Sequence, residues 1–243
     1  MEAQAMSGWK ARRFWKEAAA APVEGGHGVL LDARPLMTPA KARLIVPSAA
    51  LAQAIAAEWA AAEGEIAPAR MHFTRMANAA IDKVGPAREA VIAEIAGYGE
   101  TDLLCHRAEG PAELVARQQA AWDPLLEWAR HALEAPLVPV VGVMWQGQPA
   151  QSLARLHEEV ARASNFALCA LHDLVSISGS LVIGLHAMRP EAEITALWAS
   201  ARVDEDWQQE LWGSDDEAER QAEARRAAFL AARRFLDLLE ERG

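Results

Sequence analysis

The stretch from Phe166 to Met188 carries one formal charge, Asp173. Residues 174–188 are fifteen uncharged positions that include three serines and a histidine, fewer than the roughly 18–20 apolar residues a bilayer span requires. Such a segment must be covered by other parts of the same chain. It predicts a central helix buried on most sides. Ser176, Ser180 and Gly184 recur at i, i+4 and i+8, a small-residue strip that would let a neighbouring helix approach closely. No membrane insertion is expected.

The periodicity around this segment supplies the cover. Ser48 reads as an N-cap, Leu51, Ile55 and Trp59 recur at helical spacing, and Gly64 reads as the stop. Phe73, Ala77, Ile81 and Val84 form the next stripe, closed by Gly85-Pro86, and Val91, Ile95 and Tyr98 the one after. Pro111 suits the first position of a helix whose Leu114, Ala121, Leu125 and Trp128/Ala129 share a face. Leu137 to Met144 reads as extended, then Leu153, Leu156 and Val160 mark another helix. Beyond Arg189-Pro190 a helix with Ile194, Leu197, Trp198 and Ala201 continues toward Trp212, and Gly213 separates it from a last helix with Phe229, Ala232, Leu236 and Leu239.

Only the N-terminal part departs from this period. Val29 to Leu31, Leu36 to Thr38 and Leu44 to Val46 are short apolar runs separated by Asp32-Ala33-Arg34-Pro35, Pro39 and Pro47, which predicts a twisted antiparallel meander with a short or edge strand at the prolines. The expected class is α+β: a small β-rich N-terminal domain over residues 1–68, a meander plus a helix, followed by a larger all-helical C-terminal domain over residues 69–243. Alanine, 54 of 243 residues, favours helix and says little about function.

Charge excludes one class of partner. Lys+Arg balance Asp+Glu at 11 each over residues 1–100, whereas residues 101–243 hold 13 against 23, so the whole net charge of −10 lies in the C-terminal part. An acidic chain repels phosphate backbones, and nucleic acid is not an expected partner. Cys105 and Cys169 sit 64 residues apart among apolar neighbours and read as two buried thiols of a reducing compartment. Met1 to Ser7 shows neither a signal peptide nor a presequence pattern, so the expected location is the cytoplasm.

Motifs for chemistry are mostly absent. Gly25-Gly26-His27-Gly28 lacks the spacing of a dinucleotide loop and reads as a hairpin turn. None of the seven histidines pairs with another at i+3 or i+4, neither cysteine belongs to a Cys-x-x-Cys, and no metal or cofactor is expected. Ser176 to Ser180 lacks the flanking glycines of a nucleophile elbow and reads as packing serines. His172-Asp173 is the best ionisable pair in an apolar setting, so a small-molecule enzyme with a cleft site there stays open as an alternative, as does an acidic scaffold for another basic protein.

What stands out is acidic and aromatic. Eight carboxylates fall between Asp204 and Glu219 with no Lys or Arg, and Trp207 and Trp212 lie among them. Asp215 to Glu219 suit the first turn of the last helix. Asp204, Glu205, Asp206 and Glu210 have only Arg202 nearby in sequence, a repulsive cluster better matched to a basic partner surface. In helical projection Asp204 and Gln208 share a face with Trp212 nearby, and Trp207 and Glu210/Leu211 share another. Of the nine tryptophans, Trp59, Trp122, Trp128 and Trp198 fall on apolar stripes and read as core, while Trp9, Trp15, Trp145 and Trp212 have polar or flexible surroundings and suit a protein-binding surface.

Eight collinear blocks complete the reading: Lys10 to Lys16 (KARRFWK), Gly28 to Pro39 (GVLLDARPLMTP), Leu51 to Trp59 (LAQAIAAEW), Met71 to Asp82 (MHFTRMANAAID), Asp102 to Glu109 (DLLCHRAE), Trp122 to Leu125 (WDPL), Leu171 to Ser180 (LHDLVSISGS) and Asp204 to Gly213 (DEDWQQELWG). Together they resemble the assembly chaperones of the F-type ATP synthase catalytic sector, a family of mitochondria and alpha-proteobacteria. The resemblance implies a non-enzymatic chaperone, monomeric when free, that holds the unassembled alpha subunit against aggregation until the beta subunit replaces it. It implies a partner-binding role within the acidic block, here Asp204, Glu205, Asp206, Gln208, Glu210 and Trp212, with Glu205 first among them. Ala33 replaces the glycine usual in this family's Asp-Gly-Arg-Pro turn, which bears on the turn type, and the lack of a presequence before Trp9 points to a bacterial member.

Overall fold

The computed structural model describes residues 12–142, 146–213 and 215–240; Trp9 and Trp145 lie outside them. The fold is α+β, an N-terminal antiparallel sheet with helix followed by a mostly helical region. The chain divides into two compact units, one running to Asn78 and taking in the chain again from Leu238, the other spanning Ala79–Asp237.

The first unit is built on a hairpin of β1 (Ala18–Val23) and β2 (Gly26–Leu31), in register from Ala18↔Leu31 to Val23↔Gly26. The other edge of β2 receives β3 (Arg34–Pro35) at Leu30 and Leu31 and β4 (Ile45–Val46) at His27 and Gly28. Pro35 thus sits in a two-residue strand with a single neighbour, where its missing N–H costs no ladder bond. β1 is a strand of alanines that no pattern signalled; it pairs through its main chain and follows the branched, buried β2. At Gly26 a Cβ would stand 2.5 Å from the Val46 carbonyl oxygen, so a side chain there would force the sheet apart.

The β2–β3 turn explains the unusual alanine. The left-handed φ (+54°) falls on Asp32 and not on residue 33, so a Cβ at Ala33 is tolerated. Asp32 also accepts bonds from the Glu17 and Lys16 N–H groups, both at 3.0 Å, which hold its carboxyl below the usual range.

α1 (Ala49–Ala60) packs across β1 and β2 with Leu51 and Ile55 fully buried. Ser48 is the expected N-cap, its Oγ accepting from the Leu51 N–H, and the same hydroxyl donates to the Leu238 carbonyl. The helix ends at Ala60, short of Gly64: the Gly64 carbonyl instead accepts from the Arg13 N–H at 2.8 Å in a connection to the first strand region. Glu58 caps α2 (His72–Ala79), accepting from the Phe73 and Thr74 N–H groups at 2.8 Å and the Thr74 hydroxyl at 2.7 Å. Trp15, expected in polar surroundings, is 3% exposed; its indole donates to the Trp59 carbonyl and its ring lies 5.0 Å from that of Trp59. Trp59 itself is half-buried, not fully core, and donates to the Thr74 hydroxyl.

The second unit begins with a π-helical turn, Ala80–Val84, and α3 (Arg88–Gly97). β5 (His106–Arg107) and β6 (Val140–Val141) form a short parallel pair, with α4 (Ala112–Ala132) between them. Pro111 precedes α4 as its N-cap instead of opening it, and α4 runs through Pro124. Its buried stripe is Gln118, Trp122, Leu125 and Ala129, a rotation from the face expected through Leu114 and Ala121. α5 (Ala150–Ala161) follows, then α6 (Asn165–Ser178), α7 (Leu181–Ala187), α8 (Ile194–Ser200), α9 (Val203–Trp212) and α10 (Asp216–Glu240).

The apolar segment is therefore two helices, not one. Gly179, at φ +73°, caps α6 in the left-handed conformation, and Ser180 caps α7 by accepting from the Ile183 N–H at 3.0 Å. The expected small-residue strip is dissolved by this break: Ser176 is exposed and Ser180 is spent on the cap. Gly184 alone makes the close approach, since a Cβ there would run into Val175 Cγ2 on α6. Among the described residues no helix is long and apolar enough to cross a membrane.

Asp102 ties this hairpin to the unit. Its carboxylate is fully buried and accepts from the Leu104 and Val182 N–H groups, each at 3.0 Å; these donors, the Ser180 hydroxyl and the Leu181 N–H favour its charged form. Burial pushes the carboxyl up against the pull of those donors. The same burial, with Asp102 close by, pushes the Cys105 thiol up to about 12, in keeping with a buried, unreactive sulfur.

His186 on α7 sets a pH response. Its ring packs 4.5 Å from Trp128, its Nδ1 is buried without a hydrogen-bond partner among the described residues, and burial lowers its pKa, with Glu191 opposing and Arg189 lowering it further. A depressed folded pKa means a contribution present above the unfolded value of about 6.5 and lost as pH falls through the folded one. The His186→Leu variant is expected to lose less melting temperature than wild type between about pH 7 and pH 5. Parallel pH profiles of the two would exclude this role.

Candidate functional site

α9 is where the acids and aromatics meet. Its sequence opens with Asp204, Glu205 and Asp206, which suit the partial positive charge of a helix N-terminus, and it ends at Gly213 (φ +79°), whose N–H returns to the Gln209 carbonyl. α10 starts directly afterwards, with the Asp215 carboxylate accepting from the Ala218 N–H at 2.7 Å as its cap. The two helices frame an open groove. Glu205, Gln208 and Trp212 line it from α9, and Asp215, Gln221 and Arg225 from the other wall.

The six candidate residues separate into two sets. Asp204 points inward and accepts from Gln118 Nε2 at 2.7 Å. Asp206 accepts from Arg202 Nε at 3.0 Å, while the Arg202 guanidinium lies 5.7 Å from the Trp198 ring centroid. Glu210 accepts from Arg117 Nη1 at 2.7 Å, and the same guanidinium lies over Trp207 at 4.8 Å. That pairing holds the Glu210 carboxyl below its ordinary value and raises the arginine, although solvent screens an ion pair this exposed.

Glu205, Gln208 and Trp212 form the other set, spaced i, i+3 and i+7 on one face. All three are exposed, Trp212 at 78%, and Leu211 beside it is 55% exposed. Glu205 has no hydrogen bond or ion pair among the described residues. The projection that grouped Asp204 with Gln208 is corrected here, since Asp204 turns inward. The acids of α9 are also less isolated than sequence proximity implied, because Arg117 arrives from 93 positions earlier. Neither Arg117 nor Gln118 carries a local signal that would have named it.

His172 and Asp173 sit on α6, the imidazole 3.6 Å from Asp173 and 3.7 Å from Glu94, and these two carboxylates raise its pKa. The neighbouring serines are spent on main chain: Ser178 donates to the Leu174 carbonyl at 2.7 Å and Ser176 to the Asp173 carbonyl at 3.4 Å. They pack and cap the helices and leave no activated nucleophile beside the histidine.

Comparison with known proteins assigns the molecule. Residues 12–130 match the family model described as ATP12 chaperone protein. Over 96% of this chain and all of the other, the crystal structure of Atp12 from Paracoccus denitrificans is similar at 47% identity and a TM-score of 0.90. The chain belongs to the ATP12 chaperone family. It is accordingly a non-enzymatic factor of ATP synthase assembly, and the reading of His172-Asp173 as an enzyme site ends there. A variant of the Paracoccus protein with an aspartate replaced by lysine matches equally well, at 47% identity and a TM-score of 0.90 over the same shares of both chains. A candidate chaperone from Agrobacterium tumefaciens is 39% identical, with a TM-score of 0.90 over 94% of this chain and 86% of that one. These similar proteins are bacterial.

Proposed function

We propose that this ATP12-family chaperone captures the unassembled alpha subunit of the ATP synthase catalytic sector in the bacterial cytoplasm, on the face of α9 formed by Glu205, Gln208 and Trp212. It shields the exposed assembly surface of that subunit from aggregation and releases it to the beta subunit. The observation that carries the reading is the division of the acids: Asp204, Asp206 and Glu210 are each held by a side chain of the same unit, and Glu205 is left facing outward beside an exposed tryptophan. A chaperone that must let go needs fast encounter and moderate affinity. A free carboxylate on a polar rim supplies the first, and a single aromatic anchor with its leucine neighbour suits the second better than a large apolar patch.

Glu205→Lys is expected to melt as wild type, since the side chain is exposed and has no hydrogen bond or ion pair among the described residues, and to suppress aggregation of refolding alpha subunit poorly at physiological salt. Suppression equal to wild type would refute the assignment of this face. Loss of binding to the alpha subunit and to unrelated basic proteins alike would favour a general acidic scaffold.

A further inference from the structure

A helix of ten residues is marginal on its own and ordinarily owes its stability to an apolar face pressed into a core. α9 lacks that face, because none of its ten residues is buried. Two consecutive residues of α4 take its place. Gln118 is 2% exposed and uses both ends of its amide, Oε1 accepting from the Ala108 N–H at 2.9 Å and Nε2 donating to Asp204 in the first turn of α9. Arg117 reaches the last turn at Glu210 and covers Trp207 midway. The strapped residues 204, 207 and 210 lie about 130° round the helix from 205, 208 and 212 at 100° per residue. Holding the first stripe therefore aims the second outward.

We propose that Arg117 and Gln118 are positioning residues of the capture surface, which dock α9 by polar straps so that Glu205, Gln208 and Trp212 face the partner. The proposal rests on the reading that this face binds the alpha subunit. Because the straps are hydrogen bonds, an ion pair and a cation–π contact, α9 docks and undocks without disturbing the apolar core of α6 and α7. The apparent affinity then falls in proportion to the time α9 spends undocked.

The test combines amide hydrogen exchange with capture of recombinant alpha subunit by the full chain. For Arg117→Ala, exchange of the α9 amides is expected to speed up with the undocked fraction, and capture to weaken as the docked fraction falls, on the order of tenfold if α9 is docked a tenth of the time. Exchange in α6 and the melting temperature should stay as in wild type. Gln118→Glu sets a carboxylate against Asp204 and should act likewise. Adding Asp204→Asn to it restores a donor and an acceptor and should recover both exchange protection and capture. Unchanged α9 exchange in Arg117→Ala, or full capture by that variant while Glu205→Lys captures poorly, would overturn the positioning role. Wild-type capture by Glu205→Lys, with α9 exchange accelerated in Arg117→Ala, would show that the straps hold the helix and that the capture face lies elsewhere.

Discussion

Replacing Asp102 by alanine should lower the stability of the C-terminal unit by about 3–5 kcal/mol, because buried donors lose their acceptor. The Leu104 and Val182 N–H groups both end on this carboxylate at 3.0 Å, and the Ser180 hydroxyl and Leu181 N–H also favour its charged form, in a site closed to water. Each buried donor left without an acceptor costs about 1–3 kcal/mol. Removing a desolvated carboxyl returns part of that, which keeps the net below the simple sum. Urea unfolding followed by tryptophan fluorescence measures it, and a loss under about 1 kcal/mol would mean that water fills the site and satisfies the donors. Cys105 offers a second readout: without the neighbouring carboxylate its thiol should titrate lower if the fold survives, because that charge adds to burial in holding it up.

Trp122→Ala is the second large loss, about 3–5 kcal/mol for truncating a buried aromatic side chain. The ring is fully buried, its Nε1 donates to the Ser200 carbonyl at 2.7 Å, and the Arg107 guanidinium lies 5.3 Å from its centroid. Ser200 ends α8, so the indole also holds the chain just ahead of α9. Trp122→Phe keeps most of the apolar volume and leaves the Ser200 carbonyl without this donor, and should cost only about 1–2 kcal/mol. If the two variants melted together, the hydrogen bond and not the packing would be the dominant contribution.

The helical period was readable from Ser48 onward because apolar stripes on helices such as α1 and α5 are set by local spacing. The signals that failed were those that depend on a distant partner. Alanines 18–21 carry no strand preference, and they became β1 because β2 needed a neighbour for its main chain. Trp15 has polar neighbours in sequence but a carbonyl from Trp59 for its indole in space. The break at Gly179 was concealed by the uniform hydrophobicity on either side of it. In the candidate site the acids were legible as a block, whereas their division into held and free depended on Arg117 and Gln118, 93 and 86 residues away.

The bond between the Ser48 hydroxyl and the Leu238 carbonyl spans 190 positions and has a consequence for synthesis. The first unit takes in the chain again from Leu238. At about 5–20 residues per second, a ribosome needs roughly 10–40 s after making Ser48 before Leu238 exists. Until then the sheet and α1 lack this last partner, whereas α3 to α9 are all synthesised before it. A nascent ATP12-family chain therefore completes its beginning last.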